Sequence, residues 1–257
     1  MSVLAVIPAR LGATRLPRKP LRLLGGVPLV VRVYERVRAL DVADRCIVAT
    51  DDSEVLAACA QYNVPAALTH ASHPSGTDRV AQAARELRGP EPDVILNVQG
   101  DEPFVARDAL LGAVEVVRSG LADIGTAAVR ADIDVLQRPD VVKVVCADDG
   151  RALYFSRAPI PFLRDAGDAT LHATLVRQHV GVYAYSPRAL ATWVSLPPHP
   201  LELSERLEQL RPLAHGLSIG VATATSSERG IDTEMDLVHA NERWSALTPQ
   251  TAILPLA

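Results

Sequence analysis

The chain has 257 residues, of which 48% are hydrophobic and only 4% aromatic, so aliphatic packing must form its core. A formal charge of −4 argues against nucleic acid as a partner, which normally requires a basic patch or stripe. Cys46, Cys59 and Cys146 are odd in number, widely spaced and set in apolar runs, which argues against a disulfide framework or zinc site and for reduced thiols. No leader-like pattern precedes the first apolar run, and no run reaches membrane-spanning length, so a cytoplasmic protein without membrane insertion is expected.

In chain order, Val3-Leu-Ala-Val-Ile7 predicts a strand over 3–8, and a helix follows from Pro28, with proline near its first turn. Cys46-Ile-Val-Ala49 predicts a second strand, ending in Thr50-Asp-Asp52 and a helix through about Tyr62. Ser75-Gly-Thr-Asp-Arg79 opens a helix in which Val80, Ala83, Ala84 and Leu87 keep helical spacing. A strand at 93–98 and a helix at 107–119 complete this half. Strands alternating with helices predict an α/β fold with a parallel, doubly wound sheet.

The pattern then changes. Strand-like segments at 124–130, 141–146, 153–156 and 181–185 follow one another, with a hairpin signal at Asp148-Asp-Gly150. A helix at 201–212, a strand at 218–223 and a helix from about 233 to 244 close the chain. One domain over 1–257 is expected, with a mixed-sheet insertion at about 124–190.

Two segments carry the chemistry. Arg10-Leu-Gly-Ala-Thr-Arg-Leu-Pro-Arg-Lys19 follows the first strand, and no acidic residue precedes Glu35. Arg10, Arg15 and Lys19 on one short turn suit a triphosphate, although a solvated basic loop would look the same. The Walker A spacing is absent. Of the 26 basic residues only Lys19 and Lys143 are lysines; Lys143 reads as a solvent-facing strand position. In Asn97-Val-Gln-Gly-Asp-Glu-Pro103, Gly100 admits a ligand close to the backbone and Asp101 offers a hard oxygen to Mg²⁺. A turn aspartate is the plain alternative. Asp232, in Gly230-Ile-Asp-Thr-Glu234, either caps the last helix or supplies a second metal oxygen.

Weaker signals surround these. Ser75-Gly76-Thr77 presents free helix N–H groups or merely caps a helix. His70 and His73 read as loop histidines. Glu202, Glu205 and Gln209 fall at i, i+3 and i+7, one polar face of the helix expected at 201–212. With Arg157, Arg164, His179 and Tyr183 upstream, they would suit a polyhydroxylated acidic substrate.

These segments, taken together, resemble the 3-deoxy-manno-octulosonate cytidylyltransferase (CMP-Kdo synthetase) family. The resemblance rests on residues 7–21, 48–52, 75–79, 97–103, 142–145, 152–161, 179–185, 200–211 and 230–233, and so spans almost the entire chain. It implies a Rossmann-like nucleotidyltransferase fold and a homodimer built through the mixed-sheet insertion. It also implies Mg²⁺-dependent transfer of CMP from CTP to the anomeric hydroxyl of the eight-carbon acid sugar Kdo, an activation step for lipopolysaccharide or related glycan. On the matching positions, Arg10, Arg15 and Lys19 would hold the triphosphate, and Ser75, Gly76, Arg79 and Gln99 the cytidine end. Asp101 and Asp232 would carry metal, making Arg10, Lys19, Asp101 and Asp232 the catalytic set. Arg157, Arg164, His179, Tyr183, Glu202, Glu205 and Gln209 would shape the sugar site. Arg18 departs from the glycine that many relatives carry there. An amino-Kdo analogue or other acidic sugar as acceptor, or a non-catalytic nucleotide-sugar-binding module, are the alternatives.

Overall fold

A computed structural model describes residues 1–12, 15–165, 167, 173–227 and 230–247. Eleven strands are labelled β1 (Val3–Ala9), β2 (Leu23–Leu24), β3 (Val27–Pro28), β4 (Arg45–Thr50), β5 (Ala66–Leu68), β6 (Val94–Asn97), β7 (Ile124–Arg130), β8 (Lys143–Cys146), β9 (Ala152–Ser156), β10 (Arg177–Tyr185) and β11 (Ile219–Ala224). Helices are α1 (Leu29–Ala39), α2 (Ser53–Gln61), α3 (Gly76–Glu86), α4 (Arg107–Arg118), α5 (Pro187–Ser195), α6 (Pro200–Glu205), α7 (Leu210–Ala214) and α8 (Glu234–Leu247).

The main sheet has nine strands, in the order β11-β7-β10-β6-β1-β4-β5, with the β8–β9 hairpin joined through β10. β5, β4, β1 and β6 run parallel, as do β7 and β11, while β10 is antiparallel to both its neighbours in that order. The fold is therefore the expected α/β class with a mostly parallel sheet and a small antiparallel part. The chain moves outward from β1 through β4 to β5, then returns to pair β6 on the other side of β1. That reversal is a switch point, and ligands bind beyond the carboxyl ends of strands at such places.

Alternation along β1 explains why both sheet faces are covered. Val3, Ala5, Ile7 and Ala9 enter one core, with α1 and α4; Leu4 and Val6 enter the other, with α3 and α5. The Asp148-Asp-Gly150 signal holds: β8 and β9 are antiparallel, and Gly150 takes φ 85°, which a glycine accommodates readily.

Three expectations need correction. Residues 201–212 are two short helices, because Arg206 turns left-handed (φ 57°, ψ 45°) and ends α6. Lys143 is 0% exposed, and its ammonium is satisfied by the carbonyls of Arg138, Val141 and Arg157, at 2.9, 2.8 and 2.5 Å. Three donors meeting three acceptors make burial of this charge tolerable, and burial pulls its pKa below the ordinary lysine value, with Arg157 adding to the effect. The strand expected at 181–185 begins instead at Arg177 and so includes His179.

Candidate active site

The loop after β1 is braced from three sides. Arg18 sits at φ 58°, a left-handed position that favours glycine, and its guanidinium grips Glu54 of α2 bidentately (3.1 and 2.6 Å). Pro20 is buried in a single 3-10 turn, and Arg22 makes a second bidentate pair with Glu234 of α8 at 2.5 and 2.7 Å. Lys19 is delivered between these clamps. Its Nζ donates to Asp101 Oδ2 and to Asp232 Oδ1, the latter at 2.8 Å.

The two acids meet because their loops are joined. The Ile231 N–H donates to the Asp101 carbonyl at 2.9 Å. A Cβ on Gly100 would stand 2.7 Å from the Pro8 carbonyl, so only glycine lets the Asp101 loop approach the end of β1 so closely. Asp232 is free of capping duty. Thr233 Oγ1 accepts from the Asp236 N–H at 3.1 Å, while Asp236 Oδ2 accepts from the Thr233 N–H at 2.8 Å, a reciprocal cap on α8. Arg15 adds an exposed contact to Asp232 at 3.1 Å.

A cavity of about 430 Å³ opens over this pair. Its wall brings together all nine residues expected for nucleotide and metal: Arg10, Arg15, Lys19, Ser75, Gly76, Arg79, Gln99, Asp101 and Asp232. Ser75 also caps α3, accepting from the Asp78 N–H at 3.3 Å. Arg79 is buried and committed to Asp51 at 2.8 Å and to Thr69, so it shapes the wall as a fixed cation. His73 lines the cavity with its Nε2 engaged by Gln82, as a loop histidine rather than a metal ligand.

A second cavity of about 220 Å³ shares Gly76, Gln99 and Glu208 with the first. His179, Tyr183 and Gln209 line it; Arg157, Arg164, Glu202 and Glu205 do not. Glu202 is buried and bidentate to Arg211 of α7 (2.7 and 2.5 Å). Glu205 accepts from Ser156 Oγ and the Arg157 N–H at 2.5 and 2.9 Å, which fastens α6 to the end of β9. Arg157 returns the contact from Nε to the Glu205 carbonyl at 3.1 Å. The left-handed Arg206 breaks the expected polar face, so Glu202 and Glu205 serve packing while Gln209 reaches the cavity. Arg164 is exposed.

Two residues lining the second cavity carry unsatisfied polar atoms. Tyr183 Oη and Asn97 Oδ1 are buried and have no hydrogen-bond partner. Tyr183 packs edge-on against Trp193 and beside His179. The Thr126 hydroxyl gives its proton to the Val182 carbonyl at 2.7 Å, so it accepts from His179 Nε2–H at 2.9 Å and leaves Nδ1 as an acceptor. Burial pushes the His179 pKa down to about 3, keeping the ring neutral. Buried polar atoms without partners are uncommon, and two of the residues lining this cavity carry one each.

A model of the cytidylyltransferase family matches residues 4–219. The 3-deoxy-manno-octulosonate cytidylyltransferase of Gemmatimonas aurantiaca is 72% identical over 247 residues, 96% of each chain. The chain belongs to the 3-deoxy-manno-octulosonate cytidylyltransferase family. A second family member, from Syntrophobacter fumaroxidans, is 46% identical over 239 residues, covering 92% of this chain and 94% of its own. The solved structure of CMP:2-keto-3-deoxy-manno-octonic acid synthetase complexed with CTP superposes with a TM-score of 0.89 at 32% identity, over 96% of this chain and all of that one. A 4-diphosphocytidyl-2C-methyl-D-erythritol synthase from Anaerococcus prevotii, 16% identical with a TM-score of 0.60 over 94% and 97% of the two chains, shares the fold alone. Membership makes this chain a nucleotidyltransferase.

Three residues of this cytidylyltransferase's site escape the sequence reading. Asn97 and Glu208 line the cavities, and Glu102 adjoins the carboxylate pair. Asn97 carried a signal, being a polar residue that closes an apolar strand. Burial pushes Glu102 up to about 8, with Asp101 and Asp232 adding like charge against the opposing pull of Lys19. For Lys19 burial works against the ammonium, but the two aspartates outweigh it and hold its pKa above the ordinary lysine value.

The Glu102 shift predicts a pH effect on stability. The folded state keeps this proton to higher pH than the unfolded chain, so its contribution is fullest below about pH 4.5 and is lost as pH rises through about 8. In metal-free buffer the loss is expected to reach about 2–4 kcal/mol. Thermal melts between pH 5 and 8.5 should show the wild type falling relative to Glu102→Gln. Parallel profiles would refute the assignment.

Proposed function

We propose that this nucleotidyltransferase carries the cytidylyl group of CTP to the anomeric hydroxyl of Kdo and releases pyrophosphate, as sugar activation for lipopolysaccharide or a related glycan. The observation that carries this reading is that two cavities share Gly76, Gln99 and Glu208: a chamber lined by Arg10, Arg15, Lys19 and the carboxylates Asp101, Asp232 and Glu208 adjoins one lined by the polar side chains of Asn97, His179, Tyr183 and Gln209.

Arg10, Arg15 and Lys19 neutralise the triphosphate and the charge that grows on the departing pyrophosphate. Ser75, Gly76 and Gln99 orient the cytidine end, and fixed positioning of both reactants supplies much of the rate. In the second chamber Asn97 Oδ1 and neutral His179 Nδ1 accept from sugar hydroxyls, Tyr183 Oη donates to or accepts from one, and the Gln209 amide completes the frame.

The metal reading rests on the donor set. Among the described residues no group of three or more His, Cys, Asp or Glu is placed to hold an ion, so an all-protein cage is absent there. Two carboxylates facing one point fit Mg²⁺, which keeps waters and shares its coordination with substrate phosphates. Asp101 and Asp232 would hold Mg²⁺, which would supply charge neutralisation and polarisation of the attacking hydroxyl.

Exposed apolar side chains support the homodimer. Leu153 (61% exposed), Leu175 and Phe162 (80% exposed) lie in the stretch between β7 and β10, apolar side chains that a second copy of this chain would cover. No helix among the described residues is long and apolar enough to cross a membrane, in keeping with a cytoplasmic site of action.

The test is pyrophosphate release with Mg²⁺, CTP and Kdo, beside ATP, GTP, UTP and dTTP and a panel of sugar phosphates and an amino-Kdo analogue. Rapid release with CTP and Kdo alone is expected. Release with another acceptor, and none with Kdo, would overturn the sugar assignment.

A further inference from the structure

Lys19 stands where a metal would. Its Nζ bridges Asp101 Oδ2 and Asp232 Oδ1, so one side chain neutralises both carboxylates expected to hold Mg²⁺. The Lys19 end of the bridge is shielded, at 15% exposed, and Asp101 is 24% exposed, while Asp232 faces the open side at 42%. It is also held in place from outside. The clamps Arg18–Glu54 and Arg22–Glu234 flank it on the same loop, and the Ile231–Asp101 backbone bond fixes the spacing of the two acids.

An ammonium and a divalent ion cannot share this point. The carboxylate oxygens already face Nζ, and a cation entering between them meets a fixed positive charge in a partly dehydrated site, where repulsion is strong. A triphosphate changes the balance. It offers Lys19 new anionic oxygens in the adjoining cavity and offers the ion phosphate ligands, so the lysine can leave the aspartates as the metal arrives.

We propose that Lys19 is the resident counter-ion of the metal site, blocking it in the free enzyme and vacating it for a triphosphate, so that metal and nucleotide bind as a coupled pair. The proposal rests on the reading of Asp101 and Asp232 as metal ligands. It makes Lys19 a gate on metal entry in addition to a phosphate ligand. By linkage, nucleotide must then raise metal affinity by the factor by which metal raises nucleotide affinity.

The test is Mn²⁺ titration of the full chain without nucleotide, followed by the electron paramagnetic resonance signal of free Mn²⁺. If Lys19 covers the aspartates in about nine molecules of ten, the free site is competent in one of ten, and Lys19→Met should bind Mn²⁺ about tenfold more tightly than wild type. Lys19→Arg, which keeps the charge, should bind as weakly as wild type. Thermal melts supply a second readout: Mn²⁺ alone should raise the midpoint of Lys19→Met by more than that of wild type. Lys19→Gln replaces Lys19→Met in the same titration if the latter folds poorly. Equal or weaker Mn²⁺ binding by the uncharged variants would overturn the proposal. Asp101→Asn separates the two ideas: if it binds Mn²⁺ with CTP as the wild type does, the metal assignment itself fails, whatever the Lys19 variants do.

Discussion

Asp101→Asn is expected to lower kcat by about a thousandfold at saturating Mg²⁺, CTP and Kdo, a barrier increase of about 4 kcal/mol. The substitution keeps the size of the side chain and removes one of two anionic oxygens that meet at Lys19 Nζ. An amide is a poor ligand for a hard cation and leaves the charge of the site one unit short. The fold should survive, because the bond from Ile231 to residue 101 is made by its backbone carbonyl. The Lys19 ammonium is not left without a partner, because it still donates to Asp232 Oδ1 at 2.8 Å. Steady-state rates with a thermal melt on the same preparation check both halves. Full activity in the variant would remove Asp101 from the chemistry.

Arg211→Met is expected to destabilise the protein by about 3–5 kcal/mol, because it leaves the Glu202 carboxylate buried without its partner. Both side chains are more than nine-tenths buried, and the pairing is bidentate. Burial raises the Glu202 pKa, but the Arg211 hydrogen bonds and charge, together with the His199 N–H and charge, lower it by more, so the net shift is downward. The contribution of the pair is therefore present above the ordinary glutamate pKa and is lost as pH falls through the depressed one. Glu202→Leu combined with Arg211→Met should recover much of the loss, since an apolar pair of similar volume carries no desolvation cost. Neither residue lines either of the two cavities described, so the folded fraction of each variant should keep its substrate affinities. Denaturant midpoints of the two single variants and the double variant measure the coupling. A single variant as stable as wild type would show the pair to be dispensable.

The nucleotide half of the site was legible because its chemistry is local in sequence. Two loops, each leaving an apolar strand, carry the cations and Asp101, and the parallel topology sets those strands side by side. Asp232 needed the fold: only the Ile231–Asp101 bond and the Thr233–Asp236 cap show that it faces Lys19 instead of capping α8. The sugar half was less legible for a specific reason. Helical spacing placed Glu202, Glu205 and Gln209 on one face, but a left-handed Arg206 interrupts that helix, and arginine carries no warning of such a conformation. Lys143 read as surface because lysine almost always is, and the three carbonyls that satisfy it come from residues up to 14 positions away. Helix α5 was missed although Ser186-Pro187 opens it with an N-cap and a proline in the first turn.

The most direct test of the account is a phosphorus-31 spectrum of CTP, Kdo and Mg²⁺ followed during turnover by the full chain. One phosphodiester and one pyrophosphate should appear for each CTP consumed, as attack of a sugar oxygen on the α-phosphorus requires. CMP monoester, orthophosphate, or unchanged CTP under conditions where CTP binds would contradict it.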